Sequence, residues 1–129
     1  MKFLKILKVI KTHKSEFPIP LIATKGGIVE GMERGNEFEG WLWCKNSFDV
    51  HSWVPKAYLE PAPESGQFQF LRDYNSRELT IDAGQEVIVL DEESGWAWAR
   101  TTLGEEGWIP LANLQDLKDK PDSIPDLMG

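Results

Sequence analysis

Short apolar runs broken by proline, glycine and asparagine set the pattern of this chain, and within the runs apolar and polar positions alternate with the period of a strand. In Trp41–Lys45 that period places Trp41, Trp43 and Lys45 on one face and Leu42 and Cys44 on the other, so Leu42 and Cys44 are predicted to face the core. Ser52–Pro55 sends Val54 inward and Trp53 outward, and Pro55 ends the strand. Ile28–Met32 and Glu86–Leu90 are further strands, while Lys56–Tyr58 reads as a turn or one tight helical turn. From Thr12 to Gly27, Phe17-Pro18-Ile19-Pro20 and Gly26-Gly27 forbid a continuous helix or interior strand, which predicts a long loop. The lysine-spaced N-terminal segment allows two readings. It is either a basic amphipathic helix suited to a membrane surface or a strand near Lys8–Lys11, and the strand is preferred because Phe68-Gln69-Phe70-Leu71 opens the second half in the same way.

That second half is a copy of the first. Gly40-Trp41-Leu42-Trp43-Cys44-Lys45 followed by Trp53-Val54-Pro55-Lys56-Ala57-Tyr58-Leu59 returns as Gly95-Trp96-Ala97-Trp98-Ala99-Arg100 followed by Trp108-Ile109-Pro110-Leu111-Ala112-Asn113-Leu114. Such self-similarity is an internal duplication, and all six tryptophans lie inside it. Four segments are expected: a first unit over 1–60, a proline-containing linker over 61–67, a second unit over 68–115, and a tail over 116–129 too poor in apolar residues to pack. Units of roughly 60 residues bury only about 60% of their unfolded surface, so contact between the copies is expected.

Composition narrows the function. Five of the 14 basic side chains fall in residues 1–15, which leaves 9 against 21 acidic ones on the remainder. An acidic body lacks the basic face that phosphate binding needs, so nucleic acid is not an expected partner. The single cysteine, Cys44, forms no internal disulfide and fits a reducing compartment. No uninterrupted apolar core of a secretory signal and no run of roughly 18 to 20 apolar residues is present, so a cytoplasmic protein without a transmembrane segment is expected. His13 and His51 have no metal-ligand spacing around them, Cys44 sits on an inward strand face, and phosphate-binding glycine loops and calcium loops are missing. A noncatalytic protein is predicted, with no metal and no cofactor.

The strand order, with Gly-Trp-x-Trp-(Ala/Cys)-(Arg/Lys) and then Trp-(Val/Ile)-Pro-x-Ala-x-Leu, resembles that of Src homology 3 domains, and the whole resembles small bacterial proteins that carry two such domains in tandem. The resemblance implies an all-β fold of two five-stranded barrels. It also implies a groove for proline-rich segments in an extended left-handed helix. Carried over by position, the groove tryptophan is Trp41 or Trp96 and the groove proline is Pro55 or Pro110. The following tyrosine is kept as Tyr58 and replaced by Asn113. The Ala-Leu-Tyr-Asp-Tyr motif survives in part as Phe70-Leu71-Arg72-Asp73-Tyr74, with Arg72 in place of a groove tyrosine; the first copy has Ile10-Lys11-Thr12-His13 there. Phe17 in the long loop joins the candidate groove. Acids for a ligand arginine match Glu16 with Glu37 or Glu39, and Glu78 with Glu92 or Glu93.

The expected function is therefore a protein–protein interaction module that binds basic or proline-containing peptide segments through shallow acidic, aromatic-edged grooves. The first copy is the better candidate because it keeps Trp41, Pro55 and Tyr58. The alternative is a structural or assembly protein with degenerate grooves, in which Trp43, Trp53, Trp98 and Trp108 make a fixed contact between the domains or in a homodimer. Trp43 with Trp53, and Trp98 with Trp108, are expected as cross-strand neighbours on outward faces.

Overall fold

The computed structural model describes residues 5–16, 19–33 and 39–116. Twelve strands are described: β1 Lys5–Val9, β2 Ile22–Ala23, β3 Ile28–Met32, β4 Trp41–Lys45, β5 His51–Pro55, β6 Leu59–Pro61, β7 Gln67–Phe70, β8 Tyr74–Asn75, β9 Glu86–Glu93, β10 Trp96–Thr101, β11 Glu106–Pro110 and β12 Leu114–Asp116. Single turns of 3-10 helix at Lys56–Tyr58 and Leu111–Asn113 follow the two prolines. The chain is all-β. The strands form two five-stranded antiparallel sheets, ordered β11-β10-β9-β1-β12 and β5-β4-β3-β7-β6, with β2 and β8 paired separately. The sheets are open, where the resemblance implies closed barrels.

The first strand of each repeat is built into the sheet of the other. β1 lies between β9 and β12, with Leu7 opposite Val87 and Val9 opposite Leu114. β7 lies between β3 and β6, with Val29 opposite Phe68 and Leu59 opposite Phe70. The compact units are accordingly a split unit, residues 1–15 with 79–129, and a continuous unit, residues 16–78. Neither matches the expected division at 61–67. The physical reason lies in that segment, which is a tight reversal and not a spacer. The Ala62 N–H donates to the Gln67 carbonyl at 2.9 Å and the Gln67 N–H to the Glu64 carbonyl at 3.1 Å, so β6 runs directly into β7. Closing so short a loop costs little chain entropy, and consecutive strands commonly pair.

Each unit repeats the other's backbone bonding across this exchange. Leu71 N–H donates to the Tyr58 carbonyl, and Ile10 N–H to the Asn113 carbonyl, both at 2.8 Å. Gly26 N–H reaches the Phe70 carbonyl at 2.8 Å, and Gly84 N–H the Val9 carbonyl at 2.7 Å. Both glycines hold positive φ, +92° and +99°, in the left-handed region that a side chain disfavours.

The core of the split unit is Leu7, Val9, Leu79, Ile81, Val87, Val89, Ala97, Ala99 and Ile109, all buried. Burial of each of the larger aliphatic side chains contributes about 1.5–3 kcal/mol. In the continuous unit Leu21, Val29, Leu42, Cys44, Val54 and Phe70 are buried, which is the inward face assigned to Leu42, Cys44 and Val54 by alternation. Gly31 lies against this core: a methyl there would meet Leu42 Cδ2 at 2.5 Å and the Phe68 ring at 2.9 Å, so β3 can pass only as glycine.

The exchange also leaves a mark on buried polar groups. The Leu21 N–H donates to Ser76 Oγ at 2.7 Å, in a buried bond that joins the first repeat to the second. Ser76→Ala leaves that donor unpaired and is expected to cost about 1–3 kcal/mol, read as a lower urea midpoint at unchanged slope. An unchanged midpoint would contradict this pairing.

Candidate functional site

The continuous unit gathers both tyrosines of the chain, one from each repeat. Tyr58, on the 3-10 turn after Pro55, meets Tyr74 from the second repeat edge to face at 5.6 Å, and Tyr74 stacks on Phe70 at 5.9 Å. The Tyr74 hydroxyl donates to the Trp53 carbonyl at 2.9 Å. Burial, followed by the nearby Tyr58, Cys44 and Glu78, pushes the Tyr74 phenol well above its ordinary range, so it stays a neutral donor. Arg72, which replaces a tyrosine of the motif, places its guanidinium carbon 4.3 Å over the Tyr58 ring. Such a cation–π contact is worth about 0.5–2 kcal/mol.

These residues are in one place, but they are not open. Trp41 is 6% exposed, Tyr58 and Tyr74 are each 5% exposed, and Pro55 is fully buried. Alternation predicts Trp41 on an outward face with Trp43. Instead it pairs directly with Pro55 across β4 and β5 and is buried with it, while Trp43 is half-buried. The preference for the first copy depends on an accessible Trp41, and the burial removes that ground.

In the split unit the corresponding positions are more open. Trp96 lies opposite Pro110 on one side and Glu93 on the other, and both Trp96 and Pro110 remain half-buried. The two-residue turn between β9 and β10, Ser94 with φ 48° and Gly95 with φ 90°, is the left-handed pair that a tight hairpin requires, and it fixes Glu93 beside Trp96. His13 stands where Tyr74 stands in the other unit. Its backbone is bridged in both directions to Ile81, at 2.9 and 2.8 Å, and its ring meets Trp96 edge-on at 5.7 Å. Sequence reasoning gives His13 no part in the site; its offset from the Phe-Leu-Arg-Asp-Tyr arm is the signal that could have found it. Asn113 is buried, and its Nδ2 donates to the carbonyls of Lys11 at 2.9 Å and Thr12 at 3.4 Å. It clasps the chain and is not presented to a ligand.

The acidic candidates separate. Glu92 is exposed and pairs with Lys5 at 3.4 Å, and Glu93 accepts from Ser94 Oγ at 2.9 Å. Glu16, Glu39 and Glu78 belong to the continuous unit, so Glu78 is not in the unit of Trp96. Phe17 and Glu37 lie outside the described residues.

The remaining tryptophans form two cross-strand pairs. Trp43 faces Trp53 at 5.2 Å and stacks on His51 at 5.8 Å; Trp98 faces Trp108 at 5.4 Å. Trp53 and Trp98 are half-buried, whereas Trp108, expected outward, is 4% exposed. Glu106 ties the second pair to the strand surface: it accepts from Trp98 Nε1 at 3.0 Å and from Arg100 at 2.8 and 2.7 Å. In the first repeat His51 occupies the place of Glu106, and Lys45 turns to Glu30 at 3.6 Å. Burial pushes the Cys44 thiol up to about 12, so it is protonated at neutral pH and unsuited to nucleophilic attack. Among the described residues no cluster of three or more His, Cys, Asp or Glu side chains could hold a metal, and no helix is long and apolar enough to cross a membrane.

Residues 72–111 match the family model of the SH3 domain. That stretch is similar to an SH3 domain. A stretch of 66 residues is 35% identical to part of Myosin-1 of Aspergillus terreus (strain NIH 2624 / FGSC A1156), covering 47% of this chain and 5% of that protein. The SH3 match does not coincide with either compact unit: residues 72–78 belong to the continuous unit and 79–111 to the split one.

The hydrogen bonds to Glu106, from Arg100 first and Trp98 second, hold its carboxyl below the ordinary range. A carboxyl lowered in this way stabilises the fold above its unfolded-state value, and the contribution is lost as the pH falls through the folded-state value. Glu106→Gln is therefore expected to be less stable than the native protein at pH 7, with the difference closing as the pH falls through the folded-state value of Glu106. The difference is small because the carboxylate is partly exposed and screened by solvent. Thermal unfolding of both forms through a series of falling pH checks it.

Proposed function

We propose that the chain binds an extended protein segment carrying proline and a basic residue, and that it does so on the Trp96 face of the split unit. The observation that carries this reading is the contrast in burial between the two repeats. Trp96 and Pro110 lie side by side and half-buried, with Glu92 and Glu93 on the adjoining strand, while Trp41, Pro55, Tyr58 and Tyr74 are buried together. An indole edge beside a proline offers apolar area and a donor at low entropic cost, and carboxylates next to it favour a cationic side chain. The site needs neither metal nor cofactor. The buried free thiol of Cys44 agrees with a cytoplasmic setting, which belongs to the same proposal.

A second reading applies to the continuous unit, and Arg72 favours it. With its guanidinium over Tyr58, Arg72 occupies the ring face on which a ligand's own cation would rest, so this half acts as scaffold.

Titration with a synthetic peptide containing two prolines and an arginine, followed by amide and indole N–H chemical shifts, tests the first reading. Shifts are expected at Trp96 and Glu93, with micromolar affinity that falls at least tenfold, about 1.4 kcal/mol, in Trp96→Ala. Shifts confined to Trp41 and Tyr58 would reject it. For the second reading, Arg72→Ala is expected to bring the same peptide onto Tyr58, and continued silence at Tyr58 would count against a plugged groove.

A further inference from the structure

The two units are connected in an uneven way. The continuous unit contains every strand of its own sheet in one uninterrupted stretch, residues 16–78. The split unit is made of two pieces, and β1, which sits between β9 and β12, is joined to the rest of its sheet only through the continuous unit. We infer that folding is coupled in one direction: the continuous unit holds its structure by itself, and the split unit holds its structure only while the continuous unit is folded.

Contacts at the two crossings are complementary. Inside the continuous unit the chain ends are held together, because the Leu21 N–H donates to Ser76 Oγ at 2.7 Å and Ala23 lies opposite Tyr74. Inside the split unit the two pieces must meet at the same points of the chain: the Ser15 N–H donates to Thr80 Oγ1 at 3.0 Å, and His13 bridges Ile81. The folded continuous unit thus supplies the short connection that the split unit requires. When it unfolds, that connection becomes a flexible loop of about sixty residues. Since closure probability falls as roughly the three-halves power of length, replacing an effective span of about five residues by one of about sixty lowers the local concentration of β1 by roughly fortyfold. A unit this small, 15 residues joined to 51, has little stability in reserve against such a loss. Losing β1 also strips β9 and β12 of their shared partner, so the sheet cannot shorten at an edge and survive.

The consequence for recognition rests on the proposed Trp96 site: whatever stabilises or loosens the continuous unit decides whether that site exists. The coupling itself needs no ligand to be tested. Val54 and Ile109 are each 0% exposed in the two cores, and an aspartate at either position introduces an unpaired buried charge. In Ile109→Asp, amide signals of Val29, Val54 and Phe70 are expected to keep their native shifts while those of Val87, Ala97 and Ala99 collapse to unfolded values. In Val54→Asp both sets are expected to collapse. Native split-unit signals in Val54→Asp would overturn the inference in favour of independent units, and loss of both sets in Ile109→Asp would overturn it in favour of one cooperative unit. A urea series on the native protein tests the same coupling without a variant: split-unit amides must disappear before or with those of the continuous unit. If they outlast them, the inference is wrong.

Discussion

Five residues between β6 and β7 determine how the rest of the molecule is put together. In each repeat the first strand belongs beside the last, and the last strand of the first repeat reaches a first strand almost at once, in the second repeat. A short hairpin satisfies that demand at lower entropic cost than a return to the start of the chain. Once β7 is committed beside β6 and β3, the place beside β12 and β9 is left to β1, and the crossings at Ser15–Glu16 and Glu78–Leu79 follow. The strand exchange is thus a result of connection length acting on two arms in corresponding positions.

That exchange redistributes the chemistry of the repeats. Tyr58 and Tyr74 belong to different repeats, yet their rings touch, and the arm that brings Tyr74 also brings Arg72 to cover Tyr58. The reciprocal arm carries His13 to Trp96 and lends the carbonyls of Lys11 and Thr12 to Asn113. One unit therefore has a filled aromatic cluster and the other a sparser, more accessible one. The asymmetry concerns burial as much as residue identity.

Much of this was legible in the residues. Alternation placed Leu42, Cys44 and Val54 inward, the equal spacing of the repeats put Trp43 opposite Trp53 and Trp98 opposite Trp108, and the comparison with Phe68–Leu71 favoured a strand at the start of the chain. Two features could not be read. A period-two pattern tells which face of a strand is buried but not which sheet it joins, and both arms carry apolar residues two apart, Leu7 with Val9 and Phe68 with Phe70. Trp41 has the same local alternation as Trp43, and its burial beside Pro55 comes from contacts distant in sequence that alternation does not encode. Glu106 and His51 occupy matching places, and only the folded structure separates an ion-paired carboxylate from a stacked imidazole.

Shared construction also bears on heredity. After a duplication, each copy is ordinarily free to drift while the other preserves the ancestral role. Here a change at Tyr74 is felt by Tyr58 and a change at Lys11 or Thr12 by Asn113, so the arm of one repeat and the body of the other form the pair on which selection acts. Compensating changes are then expected between the arm of one repeat and the body of the other, rather than within a single repeat.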